Sequence, residues 1–346
     1  METYYDKIPI KNIYYMLCYA WDILDEKDEV LVNQLEYLDI YNLLAHVYVE
    51  KVQRLIKKGF YRQYRPLKEE SSIIKGKIDF SESIRRFTIN KAKMYCDFEE
   101  LNHDILFNQI IKATLILLTK YKKLDKKLKD KILFLLNYFN NIGTIKLNEM
   151  CFKNLKLNRN NIYYRVIMNI SYLIFKNCLI NEKKGTYKFI NFQRNHRKMA
   201  SLFENFVRNF YKRECPQYSV YRENIKWVAE GDNFNMLPLM QTDISIEKHD
   251  RKIIIDTKYY YNAFTNYMGN EKIITNNLYQ LFAYLKNDEF YSRKQKPTSG
   301  ILLYPQVTKS LNLKYNIHGH EVKICTVNLN SDWKNIHKRL IEIVED

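Results

Sequence analysis

Glycine and proline are scarce, eight and six in a chain of 346 residues, too few for long flexible linkers. The six cysteines, Cys18, Cys96, Cys151, Cys178, Cys215 and Cys325, stand apart, with no C-x-x-C pair and no histidine at metal-ligand spacing. That pattern gives no zinc site and leaves reduced thiols in a cytoplasmic protein as the expectation. No apolar run is long enough to cross a membrane; the nearest, Ile105–Leu118, is broken by Asn108, Gln109 and Lys112. The opening METYYDKIPIKN lacks the basic start and uninterrupted apolar run of a secretory signal. Internal repeats are absent. G-x-x-x-x-G-K-[ST] occurs nowhere, so any nucleotide-driven motor has to be another chain.

Positive charge is what the chain has in excess. Lysine and arginine number 56 against 39 aspartates and glutamates, a formal net charge of +17. A field of that sign favours a polyanionic partner, nucleic acid first, although a lysine-, asparagine- and isoleucine-rich composition generates basicity by itself. The length accommodates two domains, each with its own core.

Chemistry concentrates in Leu237–Tyr260, LPLMQTDISIEKHDRKIIIDTKYY. Two β-branched runs close across Lys248–Arg251, a polar break short enough for an antiparallel hairpin. A two-residue loop that sets Lys248 opposite Arg251 pairs Glu247 with Lys252 and brings Asp243 opposite Asp256. Side chains alternate, so Asp243, Ser245 and Glu247 share a face with Lys252, Ile254, Asp256 and Lys258. Like charges opposed across a ladder destabilise it, which implies a compensating cation. Two carboxylates with a lysine one pleat away suit a Mg2+ site for phosphodiester cleavage. The carboxylates hold the metal, and the lysine orients water or offsets transition-state charge. A hairpin with two solvated aspartates is the plainer alternative, and on these residues alone the two readings stand even.

Around the hairpin, apolar spacing predicts helices over Ile8–Leu24, Asp39–Lys58, Asp104–Tyr121, Lys131–Phe139, Asn161–Leu179, Arg197–Glu214 and Asn270–Lys286, with a last one from Asp332. Strands are expected at Tyr61–Leu67, Ser72–Phe80 and Ala92–Phe98, as a small sheet or barrel, and at Tyr218–Val228, Gly300–Tyr304 and Glu321–Asn328. Tyr14, Tyr15, Tyr19 and Trp21 of the first helix read as packing more readily than as a base-stacking platform. Plain solvated roles are the commoner explanation for the turn Lys75-Gly76-Lys77 and the run Lys120–Lys131, ahead of contacts to phosphate. Glu204 lies beside the apolar stripe of its helix, either on the surface or reaching a site on the neighbouring sheet. Gln280 and Tyr284, one turn apart, are placed to hold the catalytic strand or to touch DNA backbone. After a polar break at Asn181–Lys188 the order is α-β-β-β-α-β, a mixed sheet flanked by helices and α/β in class.

Glu204, Asp243, Asp256-Thr257-Lys258 and Gln280-x-x-x-Tyr284 together resemble the PD-(D/E)xK nuclease pattern, in the version with a Q-x-x-x-Y helix found in RecB-like nucleases. The departure is the missing proline, since Gln241-Thr242 precedes Asp243. A closer resemblance, over nearly the whole chain, is to the McrC family, the nuclease subunit of McrBC modification-dependent restriction systems. It is carried by Ile8-Pro9, Asn12-Ile13-Tyr14-Tyr15-Met16-Leu17 and Tyr19-Ala20-Trp21, then by Gly76-Lys77-Ile78-Asp79 and Leu202-Phe203-Glu204.

The resemblance implies a division of labour. Residues 1–160 are expected to form an N-terminal α+β domain, helices plus a small sheet or barrel, that docks on a McrB-like AAA+ GTPase hexamer and stimulates its GTP hydrolysis. Residues 161–346 are expected to form a PD-(D/E)xK endonuclease domain. The implied substrate is double-stranded DNA containing modified cytosine, with GTP and the modified base both bound by the partner. The implied Mg2+ ligands are Asp243, Asp256, Glu204 and the Thr257 backbone carbonyl; Asp243, Asp256, Lys258, Glu204, Gln280 and Tyr284 make up the catalytic set. Double-strand cleavage needs two sites or two sequential nicks, which points to two copies meeting on DNA. A non-catalytic adaptor of an AAA+ ring and a stand-alone nuclease are the competing expectations. Both aspartates and the lysine stand together on one face, which counts against an abandoned site.

Overall fold

The computed structural model describes residues 8–22, 39–181, 186–189, 195–259, 264–267, 270–291, 296–307 and 309–345. They fall into two compact units, residues 41–190 and residues 1–40 together with 191–346. This differs from the single break near residue 160 expected from the sequence, because the first helix packs into the C-terminal unit. Helix α1 (Ile10–Ala20) is buried without interruption from Asn12 to Tyr19. Its main partner is α2 (His196–Glu214), which starts at the cap made by Asn195, whose side chain accepts from the Lys198 N–H. The Tyr19 ring lies 5.8 Å from Phe206, 5.4 Å from Phe210 and 5.6 Å from Trp333. Asn209 donates to the Tyr19 and Ala20 carbonyls at the end of α1, and Asn12 donates to those of Leu329 and Ser331. Tyr14, Tyr15 and Tyr19 are therefore packing residues; Ile23 and Leu24 of the expected helix lie outside the described residues.

This unit is built on a six-stranded sheet. Strands β1 (Ser219–Tyr221), β2 (Ile244–Glu247), β3 (Lys252–Thr257), β4 (Thr298–Pro305), β5 (Asn312–Ile317) and β6 (His320–Val327) lie in the order β5-β6-β4-β3-β2-β1. The centre, β3-β4-β6, is parallel, and antiparallel neighbours flank it on both sides. The sheet is thus mixed and the unit α/β, as its element order requires. Central strands covered on both faces read as continuous apolar runs, which accounts for Ile253-Ile254-Ile255, all buried.

Helix α3 (Thr275–Tyr291) makes the crossover from β3 to β4 and packs Leu281, Tyr284 and Leu285 against Ile254, Leu302 and Ile324. Gly300 permits that approach, since a Cβ there would stand 2.9 Å from the Leu281 side chain. The last helix, α4 (Trp333–Glu345), is tied to α2 by the Tyr211 hydroxyl, which donates to the Leu340 carbonyl.

Three expectations shift. The run Tyr218–Val228 splits into β1 and Asn224–Ile225, which pairs with Met240–Gln241. α3 starts at Thr275, whereas Asn270–Ile273 pairs with Phe264–Tyr267; β-branched Ile273, Ile274 and Thr275 resist the helix there. β5 was not expected, because as a half-solvated edge strand it lacks an apolar run.

In residues 41–190, helices Ile40–Lys58, Leu106–Thr119, Lys126–Leu136 and Arg165–Asn177 accompany an antiparallel sheet of Gln63–Ser71, Met94–Asn102 and Lys77–Ile78, with Met94–Asn102 in the middle. The expected strand Ser72–Phe80 shrinks because Asp79 caps a short helix, Phe80–Arg85, accepting from the Glu82 N–H. Asp125 likewise accepts from the Leu128 N–H, so the helix expected from Lys131 begins at Lys126 and takes in half of the lysine run. Gly76 has φ +59°, and a Cβ there would meet the Asp97 carbonyl at 2.6 Å; the close approach of this basic turn is to its own sheet. Cys178–Asn181 and Thr186–Phe189 pair as a hairpin, and residues 182–185 of the expected break lie outside the described ones. Cys18, Cys96, Cys151, Cys215 and Cys325 are free thiols; the Cys178 side chain is outside the described set. Among the described residues no helix is long and apolar enough to cross a membrane.

Candidate active site

The hairpin forms in the register read from the sequence. Glu247 pairs with Lys252, Ile246 with Ile253, Ser245 with Ile254 and Ile244 with Ile255, and the Lys248 N–H donates to the Arg251 carbonyl at 2.9 Å. The ladder ends at the pair of Ile244 with Ile255; Asp243 is the residue before Ile244 and Asp256 the residue after Ile255. There Asp243 turns onto the next residue: its Oδ2 accepts from the Thr257 N–H and from the Thr257 hydroxyl, each at 2.8 Å. On the other side β3 stays paired with β4 through Thr257, and the Lys258 N–H donates to the Leu303 carbonyl at 2.9 Å. The carboxylates thus stand at the C-terminal end of a central parallel strand, where open α/β sheets leave a crevice. The turn is anchored as well. Lys248 Nζ donates to the Val344 carbonyl at 2.6 Å and Arg251 to the Glu345 carbonyl at 3.2 Å, placing two cations at the C-terminus of α4.

Asp256 is 1% exposed. Burial pushes its carboxyl up to about 7 against the pull of the Lys258 ammonium, while Asp243 and then Glu204 add to the rise. Lys258 Nζ stands 2.9 Å from Asp256 Oδ2, and it holds the carboxyl down both by its charge and as a hydrogen-bond donor, without offsetting the burial. The same ammonium donates to Gln280 Oε1 at 2.8 Å; Gln280 Nε2 donates to the Tyr284 oxygen at 2.7 Å, and the Tyr284 hydroxyl donates to the Gln241 carbonyl at 3.0 Å. Burial holds the Tyr284 phenol above its usual range, so it remains a donor. Gln280 and Tyr284 thus form one hydrogen-bonded chain from Lys258 to the Gln241 carbonyl. They fix Lys258 and tie α3 to the segment that leads into Asp243.

Glu204 also comes to this neighbourhood, from α2. Its Oε1 lies 3.0 Å from Arg208 Nη1, one turn along the helix, and 3.3 Å from Arg222 Nη2. Arg208 Nη1 also donates to the Asp243 carbonyl at 3.2 Å, and Arg222 Nε approaches the Thr242 carbonyl at 3.4 Å. Neither arginine was singled out from sequence, although the spacing of four from Glu204 to Arg208 was a legible signal. A second buried cluster, at the other end of β3, was also missed. Lys252 Nζ lies 2.5 Å from Asp288 and 2.8 Å from Glu223, the Thr298 hydroxyl donates to Asp288 at 2.7 Å, and the Ser245 hydroxyl donates to Glu223 at 3.1 Å.

Among the described residues, no three acidic, histidine or cysteine side chains form a ready metal cage. The donors that suit a hard divalent cation are the buried Asp256 carboxylate, the Asp243 carboxylate and the Thr257 carbonyl. Mg2+ keeps several waters, so two carboxylates suffice.

Residues 6–305 match a family model described as "McrBC 5-methylcytosine restriction system component". The chain belongs to the McrC family. It is 34% identical over 342 residues to "Type IV methyl-directed restriction enzyme EcoKMcrBC" of Escherichia coli (strain K12), covering 98% of both chains. In fold it is similar to a chain in a refined half-complex from a tetradecameric assembly of Thermococcus gammatolerans McrB AAA+ hexamers with bound McrC. That likeness has a TM-score of 0.62 at 17% identity and covers 97% of this chain and 75% of that one. Within this McrC-family chain, the strings that carried the resemblance fall on α1, on the turn and cap of the smaller sheet, and on the stretch of α2 that ends at Glu204.

Proposed function

We propose that this chain is the Mg2+-dependent DNA endonuclease subunit of a GTP-dependent type IV restriction complex directed at modified cytosine, with a PD-(D/E)xK nuclease fold in the unit that carries the hairpin. The observation that carries this reading is the placement of Asp243 and Asp256 together at the end of β3, with Lys258 tethered beside them by Gln280. Asp243, Asp256 and the Thr257 carbonyl would hold the cation, which supplies Lewis acidity toward water and a phosphate oxygen. Lys258 Nζ, fixed in direction by Gln280 and Tyr284, orients the attacking water and offsets negative charge as it develops at phosphorus. Asp256 is protonated in acid and ionises near pH 7, so the site becomes competent for a cation as the pH rises through neutrality.

A McrB-like AAA+ GTPase hexamer is the partner under this reading. The Thermococcus relative is bound to such hexamers, and the absence of a P-loop here leaves nucleotide hydrolysis to another chain. Residues 41–190 are the docking unit, which leaves Ile73, Ile74, Phe80, Ile84 and Phe87 exposed, more apolar surface than an unpartnered segment normally keeps. The net charge of +17 suits double-stranded DNA as substrate, and the free thiols suit the cytoplasm. The test is cleavage of duplex DNA bearing modified cytosine by the chain with its GTPase partner, GTP and Mg2+. Cleavage is expected with wild type and absent in EDTA, and Asp243→Asn abolishes it while stimulated GTP hydrolysis persists. Cleavage unchanged in EDTA would remove the metal from the mechanism.

A further inference from the structure

Glu204 belongs to the expected metal-ligand set, but its surroundings describe another role. Its Oε1 is shared by two guanidinium groups, Arg208 at 3.0 Å and Arg222 at 3.3 Å. One carboxylate between two arginines leaves the trio with a net positive charge, which repels a divalent cation and attracts an anion. The two arginines are not equivalent. Arg208 is 18% exposed and held on three sides, by Glu204, by the Asn205 side chain and by the Asp243 carbonyl. It is part of the frame that fixes Asp243.

Arg222 is 45% exposed. Among the described residues it touches the edge of the site, through Glu204 and through a 3.4 Å contact to the Thr242 carbonyl, one residue before Asp243. A guanidinium has five N–H donors, so most of them are left for a further acceptor. Arg222 lies in the two-residue link between β1 and the short strand Asn224–Ile225, and the Glu223 N–H that follows it donates to the Thr242 hydroxyl at 3.1 Å. That bond holds the link against the start of the catalytic hairpin.

We propose that Arg222 is the ligand for a DNA phosphate at the cleavage site, and that Glu204 is the positioning residue that aims it rather than a metal ligand. The proposal rests on the nuclease reading above for its substrate. A planar guanidinium matches two oxygens of a phosphate diester, and Glu204 holds the fork beside the carboxylate pair before DNA arrives.

The test uses the full chain for DNA binding and the complex with its GTPase partner for cleavage. Fluorescence anisotropy with duplex DNA across a KCl series should show the salt slope of Arg222→Ala reduced by about 0.9, the loss of one phosphate contact. Cleavage by Arg222→Ala is expected to fall about 10- to 100-fold, and Arg222→Lys to recover the salt slope but not full cleavage. Glu204→Gln should raise KM for DNA and leave the half-saturating Mg2+ concentration unchanged. A Mg2+ requirement raised tenfold or more by Glu204→Gln makes Glu204 a metal ligand and overturns the positioning role. A wild-type salt slope and cleavage rate in Arg222→Ala overturn the phosphate contact. A wild-type urea-unfolding transition of the unit that carries them shows that each variant is folded. If wild type itself does not cut, the nuclease reading fails separately, and the salt slope still decides whether Arg222 contacts DNA.

Discussion

Strand β3 carries an ion cluster at each end, on one face, and the two differ in how far opposite charge offsets burial. At the first end, Lys252 is bonded by Asp288 and Glu223, and those acids take further hydrogen bonds from Thr298 and Ser245. Burial opposes the Lys252 charge, yet the bonds to Asp288 and Glu223 carry its pKa above the ordinary lysine value. At the second end, the Lys258 ammonium does not offset burial and the neighbouring Asp243 and Glu204, and the Asp256 carboxyl is lifted to about 7. Three residues lie between Lys252 and Asp256. A closed network stabilises a charge and has nothing left to bind. A carboxylate whose burial is not offset by its cation stores an electrostatic cost that a metal or substrate can relieve.

The largest expected effect is on cleavage. Asp256→Ala should reduce DNA cutting by about a thousandfold or more, roughly 4 kcal/mol of transition-state stabilisation, with stimulated GTP hydrolysis intact. Measurable cutting by that variant in a plasmid assay would erase the functional side of the contrast. Next comes Lys252→Ala, which leaves the buried Asp288 and the half-buried Glu223 uncompensated and should cost about 3 kcal/mol in urea unfolding. A loss below about 1 kcal/mol would mean that the Lys252 cluster is not the structural one.

The third prediction concerns pH. The folded pKa of Asp256 is raised above its ordinary 3.8, so the stability associated with its neutral form is fully present below about pH 4 and is lost as the pH rises through about 7. Thermal melts of wild type should decline across that window more steeply than those of Asp256→Asn. Cleavage should rise about tenfold per pH unit below 7 and then level off. Equal slopes for the two proteins would place the titration elsewhere. The smallest effect is expected from Tyr284→Phe, which removes the bond to the Gln241 carbonyl and frees Gln280. A loss of about 1 kcal/mol in stability is expected, with cleavage reduced severalfold at unchanged Mg2+ dependence.

The hairpin that carries Asp243 and Asp256 was legible because its information is local. A period of two and a two-residue turn fix the register, and the register fixes which carboxylates meet. Gln280 and Tyr284 were legible for the same reason, one helical turn apart. What the sequence hid depends on distant partners. α1 joins the unit that starts again at residue 191, through contacts such as Asn209 to Tyr19, so no local signal could mark the division. Lys252 meets an acid from α3, and Arg222 meets Glu204 across a link between two short strands that had been read as one. Helix starts at Phe80 and Lys126 were readable in principle from Asp79 and Asp125, each of which caps the N–H three residues on.

The most direct measurement of the central idea, that the end of β3 carrying Asp243 and Asp256 is a cation site, is calorimetric titration of the full chain with Mg2+ at pH 8. Saturable binding by wild type is predicted, accompanied by proton release when the titration is repeated near pH 7, and no binding by Asp256→Asn. Equal Mg2+ binding by wild type and Asp256→Asn would contradict it.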